Sequence, residues 1–364
     1  MMKLKQEKIK IIEFFDKHFD KINWREFCKN TNIPVEFFEK HFDEVYWWSL
    51  CRNTNIPVSF FEKNVHKICW AGLCQNSNIP ASFFEKYFNK INWEYLCLNT
   101  NIPISFFEKH LDKVDWLSLC QNTNIPVSFF EEHIRDKCLY HWYWLCKNTN
   151  ISVNYFEKYI DKVDWFSICK NSNIPVSFFE EHLDKVDWLN LCQNTNIPIN
   201  FFEKHFDKLN WVGLCHNTNV PVNFFEKHSD KIFWMGLCEN ANIPVNFFDK
   251  HLDKINWESL CRNTKIPVSF FEKHYDKINW ASLCQNTNIP VSFFEKNHDK
   301  VYWRYLCANN FSLYLQNIQI QENKLSLVFQ EINNFVYCVP PGVFSCLPKG
   351  GSGYLEILYK YRTI

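Results

Sequence analysis

Glycine, methionine and net charge are what this chain has least of. Of its 364 residues 7 are glycine and 3 are methionine, and 40 basic side chains balance 40 acidic ones. A chain without a basic excess lacks the electrostatic signature of proteins that bind nucleic acids or anionic membranes. No stretch approaches the roughly 18 uninterrupted apolar residues of a membrane-spanning helix, and the N-terminus MMKLKQEKIK has no apolar signal region. We therefore expect a soluble, cytoplasmic protein that contacts neither nucleic acid nor membrane.

Catalytic motifs are missing as well. The sequence has no G-x-S-x-G, no phosphate-binding P-loop and no H-E-x-x-H pair. The run LPKGGSGY at residues 347–354 lacks the Gly-Lys-Ser/Thr ending of a P-loop and is interpreted as a turn. We expect no enzymatic activity and no cofactor.

Tryptophan, by contrast, recurs with a fixed period. The spacing is 23 residues throughout, except for one step of 26 between Trp116 and Trp142. It defines 13 copies of one unit between about Ile11 and Asn309, which we number units 1 to 13. Self-similarity at such a period is typical of repeat proteins.

Each unit reads as two short helices, as in unit 8, PVSFFEEHLDKVDWLNLCQNTNI, from Pro175 to Ile197. Ser177 and Glu180 form an S-x-x-E capping box, which predicts the start of a helix at that serine. The first helix should cover residues 178–186, because the apolar residues there recur at helical spacing.

A second, shorter helix should begin at the tryptophan. Asp or Asn precedes the tryptophan in eight units and is a favourable N-cap; these residues are Asn23, Asn92, Asp115, Asp164, Asp187, Asn210, Asn256 and Asn279. Trp188, Leu191 and Cys192 then fall on one apolar face. The helix should end at N-T-N-I-P, where proline cannot continue it and asparagine can adopt the left-handed conformation.

Together these patterns predict an all-α fold, an α-solenoid of thirteen 23-residue two-helix repeats over residues 11–309. Helices this short are unstable alone, so the units must stack, over a contour of about 100–130 Å. Residues 1–10 are interpreted as an N-terminal cap. Residues 310–364 form either a C-terminal cap over the last repeat or a small α+β appendage, because LSLVF, FVYCV and YLEILYKY are β-rich runs.

Thirteen of the 17 cysteines occupy one position of the unit, namely Cys28, Cys51, Cys74, Cys97, Cys120, Cys146, Cys169, Cys192, Cys215, Cys238, Cys261, Cys284 and Cys307. Neighbouring copies should lie about 8–10 Å apart, too far for a disulfide. We expect small, buried, free thiols and a reducing compartment.

Histidine fills one position of the first helix in nine units, namely His18, His41, His110, His133, His182, His205, His228, His251 and His274. The other four units carry Asn64, Tyr87, Tyr159 and Asn297 there. A metal ligand would not be exchanged for tyrosine, so we expect partly buried, hydrogen-bonding histidines and no metal site.

The first asparagine of N-T-N is present in all 13 units, as Asn30, Asn53, Asn76, Asn99, Asn122, Asn148, Asn171, Asn194, Asn217, Asn240, Asn263, Asn286 and Asn309. An amide side chain offers two donor hydrogens and an acceptor oxygen. We hypothesise a structural ladder in which these side chains satisfy backbone groups from one unit to the next.

Function in a repeat protein should depend on the positions that differ between copies. The residue after the tryptophan varies, and six consecutive units carry a large apolar side chain there, namely Leu117, Tyr143, Phe166, Leu189, Val212 and Met235. Two interpretations stay open: a partner-binding strip on the surface, or a row that packs between adjacent second helices.

The unit W-x-x-L-C-x-N-T-N-I-P-x-x-F-F-E-K-H-x-D-K resembles the short Trp-rich repeats of nucleocytoplasmic large DNA viruses. In the mimivirus-like group these read W-x-x-L-S-x-N-P-N-I, with F-I-E-K and D-K-x-W-D-W. The resemblance covers about 300 of the 364 residues, with Cys for the usual Ser, and residues 310–364 lie outside it. It implies a giant-virus repeat protein that binds proteins, and it transfers no catalytic residue.

We therefore expect a non-enzymatic, protein-binding scaffold or adaptor that acts in the host cytoplasm, with residues 310–364 recruiting host machinery in the adaptor version. The alternative is a structural protein of virion assembly, which would be abundant in purified particles.

Overall fold

The computed structural model describes residues 2–133 and 139–338, and all regular secondary structure in these ranges is helical. Each of the 13 units contributes one pair of α-helices, and one long helix follows the last unit. Neighbouring units pack side by side. The prediction of an all-α solenoid is confirmed.

The first helices of units 1 to 13 are Met2–Lys17, Val35–Lys40, Val58–Lys63, Ala81–Lys86, Ile104–Glu108, Val127–His133, Val153–Lys158, Val176–Glu181, Ile199–Lys204, Val222–Lys227, Val245–Asp249, Val268–Lys273 and Val291–Lys296. The second helices are Trp24–Phe27, Trp47–Cys51, Trp70–Cys74, Trp93–Cys97, Trp116–Leu119, Leu139–Lys147, Trp165–Ile168, Trp188–Gln193, Trp211–His216, Trp234–Glu239, Trp257–Arg262, Trp280–Leu283 and Trp303–Ala308. The C-terminal helix is Ser312–Cys338. Short 3-10 turns join the two helices of a unit at Phe19–Lys21, Phe42–Glu44, Val65–Lys67, Phe88–Lys90, Ile160–Lys162, Phe206–Lys208, Ser229–Lys231, Tyr275–Lys277 and His298–Lys300.

In the 11 units that carry the proline, the first helix begins directly after it, and the predicted capping box is wrong. In unit 8 the N-cap is Pro175, with φ −68° and ψ 152°, and no side chain caps the helix. Ser177 therefore lies inside the first turn rather than before it. Because the ring of proline fixes φ near this value, the extended N-cap conformation costs little, and the Pro175 carbonyl accepts from the Phe178 N–H at 3.2 Å.

The first helix is also shorter than predicted, since in unit 8 it ends at Glu181. The backbone of His182 leaves the helix with φ −130° and ψ 37°. In unit 3 the residue at this position, Asn64, donates its side-chain amide to the Phe60 carbonyl four residues earlier, at 2.9 Å. A histidine nitrogen makes the same contact in unit 1 and an asparagine amide makes it in unit 13. In these three units a side chain thus bonds to a carbonyl of the last helical turn, a contact that both histidine and asparagine can make.

The second helix starts as predicted. All eight Asp and Asn residues before the tryptophan accept a hydrogen bond from the backbone N–H three residues on, so these N-caps are confirmed. In unit 6, which carries the three extra residues, the second helix starts earlier, at Leu139.

The asparagine that ends the second helix does not adopt the left-handed conformation that we expected. Asn194 is extended, with φ −73° and ψ 112°. Among the described residues other than glycine, positive φ occurs at Phe311. The asparagine ends the helix through its side chain, whose contacts lie between units and are described below.

Unit 13 packs against unit 1 as every unit packs against the next, so the solenoid closes into a ring. The Trp303 ring stacks on Phe14 with centroids 5.4 Å apart and planes at 16°, and the equivalent pair between units 12 and 13 gives 5.7 Å and 14°. The Asn23 N–H donates to Cys307 Sγ at 3.2 Å. The sequence predicted that the units stack, but it did not predict that the last unit would pack against the first.

The second helices form the inner side of this ring. They approach one another closely, because the second residue after the tryptophan is Gly, Ser or Asn in nine of 13 units. A Cβ added at Gly72, for example, would lie 2.7 Å from the Trp48 carbonyl oxygen of the preceding unit. With helices about 8 Å apart and about 10–12 Å thick, thirteen of them enclose an opening about 20 Å wide.

The two terminal helices pack antiparallel beside the closure. Tyr314 Oη donates to Glu7 at 3.0 Å, and the Glu322 carboxylate accepts from the Lys3 N–H at 2.7 Å. Unit 1 lies against unit 13, and of the described residues after unit 13, Phe311 and Leu315 are buried in the core while the helix Ser312–Cys338 packs against Met2–Lys17.

The expectation of β-rich segments in this region is wrong where the structure describes them. LSLVF at 325–329 and the first four residues of FVYCV at 335–339 are helical, and no glycine or proline interrupts residues 312–338. Residues 339–364, including YLEILYKY, and residues 134–138 lie outside the described ranges.

Candidate binding surface and the asparagine ladder

The variable residue after the tryptophan lies on the solvent-exposed face of the second helix, about 100° around the axis from the buried side. In the six units singled out above, five of these side chains are exposed, with exposed fractions of 40% for Leu117, 48% for Phe166, 36% for Leu189, 41% for Val212 and 51% for Met235. Tyr143 is half-buried. These six residues are called the apolar arc below.

In the nine units with Gly, Ser or Asn at the following residue, that residue lies at the contact between adjacent second helices. Ser167 is fully buried, and Asn190 is buried with its side-chain amide donating to the Phe166 carbonyl of the preceding unit at 3.0 Å. The packing between adjacent second helices therefore involves the next residue along the chain, whereas the side chains of the apolar arc are exposed to solvent on the inner side of the ring.

Basic side chains lie along part of the apolar arc. Lys147 Nζ is 4.0 Å from the Tyr143 ring centroid and also donates to its hydroxyl. Lys170 Nζ is 5.6 Å from the Phe166 ring in the next unit. These cation–π contacts reduce the exposure of the rings and place positive charge at the rim of the strip.

The asparagine side chains connect each unit to the one before it. In unit 8 the Asn194 amide donates to the carbonyls of Cys169, at 3.0 Å, and Asn171, at 3.1 Å, while its oxygen accepts from the Asn196 N–H at 2.9 Å. Asn194 is 3% exposed, so these groups cannot turn to water instead. The equivalent residues are buried in all 13 units, and each donates to the preceding unit around the ring.

The cysteine sulfurs also bond between units, a contact that the sequence did not indicate. Cys215 Sγ accepts from the Phe233 N–H of the next unit at 3.3 Å, and Cys284 Sγ accepts from Tyr302 at 3.4 Å. All thirteen repeat cysteines are free and buried. Burial raises the pKa of Cys192 to about 11 and that of Cys169 to about 12, so these thiols are neutral and poor nucleophiles at physiological pH.

The repeated histidines lie between aromatic rings. The His205 ring is 5.7 Å from Trp188 of the preceding unit and 4.7 Å from Phe201 of its own helix. Within residues 2–133 and 139–338, no three His, Cys, Asp or Glu side chains come together as a metal site would require.

The ring closure adds one group of side chains that sequence reasoning missed. Arg25 and Arg304 occupy the variable position of units 1 and 13, which are neighbours in the ring but lie at opposite ends of the repeat sequence. Each arginine was visible in the sequence, but their proximity depends on the closure.

Across the part of the chain that is described, no helix combines the length and apolarity needed to cross a membrane. The chain matches no protein-family model, no curated protein and no solved structure with which it was compared.

Proposed function

We propose that this protein is a non-enzymatic scaffold whose ring binds a partner protein through the apolar arc on its inner wall. The observation that carries the proposal is the exposure of five large apolar side chains in units 5 to 10, none of which the core requires. Exposed apolar patches that are continuous and bordered by charge are typical of protein-binding surfaces.

The shape of the ring favours a helical partner segment. Six of the 13 units line about 25–30 Å of the wall of an opening about 20 Å wide, which admits one helix of about 10–12 Å. An amphipathic helix can lay its apolar face along such a strip, as in helix-in-groove recognition. The partner we propose is therefore a protein with an exposed amphipathic helix.

The setting of this function rests on the resemblance to giant-virus repeats. It supports a viral protein that acts in the host cytoplasm, as a scaffold or as an adaptor whose C-terminal residues recruit host machinery. An exposed binding surface favours this role over the alternative of a virion-assembly protein.

The test compares two double variants in affinity purification from infected cells. Leu189→Asp with Val212→Asp places two charges in the apolar arc. Leu111→Asp with Leu252→Asp places the same charges on two leucines that are exposed to a similar extent, 38% and 39%, but lie outside the arc. We expect the control to retain the partners of the wild-type protein and the arc variant to lose them, with equal melting temperatures for both.

Retention of every partner by the folded arc variant would overturn the proposal. The partner segment is then mapped by displaying its helices as peptides, and the binding peptide should be amphipathic. High copy number in purified particles, with no partner lost from the arc variant, would favour the assembly role.

A further inference from the structure

We propose that the inner wall carries a second binding surface, specific for a short acidic peptide segment, at the junction of units 13, 1 and 2. It consists of the exposed side chains of Arg304, Arg25, Lys29 and Arg52, which we call the basic arc. These residues occupy the same two positions of the second helix as the apolar arc and its basic rim. The surface exists because the ring closes, since Arg304 and Arg25 are otherwise 12 units apart.

Two of the three arginines of the basic arc, Arg25 and Arg52, contact aromatic rings rather than acidic partners. The Arg25 guanidinium lies 5.9 Å from the Tyr46 ring centroid, and that of Arg52 lies 4.7 Å from the Trp48 ring. In the described ranges no carboxylate lies within 4 Å of Arg25, Arg52 or Arg304. A guanidinium stacked on a ring keeps its N–H fork free for a carboxylate, which it binds with two parallel hydrogen bonds.

Lys29 differs from the three arginines, because its Nζ bonds to Glu26 at 2.9 Å. That pair is locally neutral, so the net positive charge of the arc comes from the arginines. An incoming carboxylate would meet the guanidinium groups first, and Lys29 would contribute only if it exchanged partners.

The extent of the basic arc favours a peptide over a nucleic acid. Units 12 and 3 carry Ala and Gln at the two positions, and unit 4 carries Glu94. The basic arc is thus limited to three units, whose second-helix axes span about 16–20 Å from the first to the last. A nucleic-acid strand needs a longer basic stripe to neutralise its evenly spaced phosphates, whereas a few carboxylates fit this length.

Unit spacing also suggests how the carboxylates are arranged. In the polyproline II conformation residues i, i+3 and i+6 share one face, and at about 3.1 Å per residue they are about 9 Å apart. That is close to the spacing of about 8–10 Å between neighbouring units. The ligand class is therefore a peptide with an acidic residue at every third position.

The experiment measures binding of a fluorescent peptide, (Glu-Pro-Pro) repeated four times, to the full chain by anisotropy. The matched control peptide has Gln in place of Glu. The protein variants are Arg25→Gln with Arg304→Gln, and Lys147→Gln with Lys170→Gln as a control that removes two cations elsewhere on the inner wall. We expect the Arg variant to bind about tenfold or more weakly, the Lys variant to bind as the wild type does, and 0.5 M salt to weaken binding.

Equal binding by wild type and the Arg variant, or equal binding of the Glu and Gln peptides, would overturn the proposal. A twelve-residue oligothymidylate that binds more tightly than the Glu peptide and displaces it would identify a nucleic-acid surface instead. Both arginines are exposed, so unchanged melting of the Arg variant is expected and checks its fold. This test needs no apolar contact, so it can fail or succeed independently of the apolar arc.

Discussion

The side-chain amide of Asn30 donates to the backbone carbonyl of Asn309 at 2.9 Å, across 279 positions of the sequence. Asn53 bonds to the Asn30 carbonyl in the same way at 3.2 Å, so the junction is one more rung of the ladder. Open solenoids fray at their terminal repeats, which face water on one side. In this ring every unit has two neighbours, and the terminal helices reinforce the one junction that the chain does not connect.

Ring closure predicts a cross-link between residues that an open solenoid would keep far apart. Lys17 Nζ lies 3.9 Å from the Glu295 carboxylate, across the junction of units 1 and 13. A zero-length carbodiimide reagent should join these two side chains in the monomer, and mass spectrometry of the digest should find the linked peptides.

The internal reference for that experiment is the equivalent ion pair between units 8 and 9, Lys204 with Glu180 at 3.1 Å. Both pairs are exposed and contribute little to stability, so their reactivity reports proximity. An open structure would give the Lys204–Glu180 product without the Lys17–Glu295 product.

The ladder predicts that Asn194→Leu destabilises the protein although leucine is apolar and of similar size. The change removes two bonds donated to the carbonyls of Cys169 and Asn171 and leaves those buried groups without this partner. We expect a loss on the order of 3 kcal/mol and a lower melting temperature by circular dichroism. Thr195→Ala, one residue away and exposed, is the control and should melt as the wild type does. Equal melting of both variants would show that the ladder is not needed for stability.

The two helices of a unit should respond differently to loss of a polar residue near their start. Asp187 caps the second helix by accepting from the Asn190 N–H at 2.8 Å, so Asp187→Ala should cost about 1 kcal/mol. Ser177 caps nothing, and Ser177→Ala should change stability by less than about 0.5 kcal/mol. Chemical denaturation of the two variants in parallel measures both free energies of unfolding. A larger loss of stability for Ser177→Ala would mean that Ser177 does cap the first helix.

Local patterns in the sequence predicted what depends on neighbouring residues. The tryptophan period located all 13 helix pairs, and an Asp or Asn before the tryptophan located eight helix starts. The S-x-x-E pattern was misleading at Ser177, because the fixed φ of Pro175 sets the helix boundary two residues earlier.

Closure could not be read from these patterns, because it depends on the sum of 13 small rotations between units. The small residues of nine units, such as Gly72 beside Trp48, let second helices approach and so curve the chain inward, but no single step shows where the chain will end. For the same reason the apolar arc, which lies in consecutive units, was visible in the sequence, whereas the proximity of Arg304 and Arg25 was not.

The buried thiols predict a steep loss of stability in alkaline solution. Burial raises the pKa of Cys192 and Cys215 to about 11 in the folded ring, while a thiol in the unfolded chain has a pKa of about 8.5. Above pH 8.5 the unfolded chain therefore releases thiol protons that the folded chain retains. The free energy of unfolding is therefore unaffected by thiol ionisation below about pH 8.5. As pH rises from there toward 11, it falls by about 1.4 kcal/mol per pH unit for each buried thiol.

The contribution of one thiol can be isolated with Cys192→Ala. Alanine cannot ionise, so the free energy of unfolding of this variant should fall less steeply between pH 8.5 and 10, by about 1.4 kcal/mol per pH unit. The variant also loses packing and the sulfur's contact with the next unit, but those losses shift the whole curve without changing its slope. Parallel curves for wild type and Cys192→Ala over this pH range would mean that the thiol ionises as readily in the ring as in the unfolded chain, and that burial does not keep it neutral.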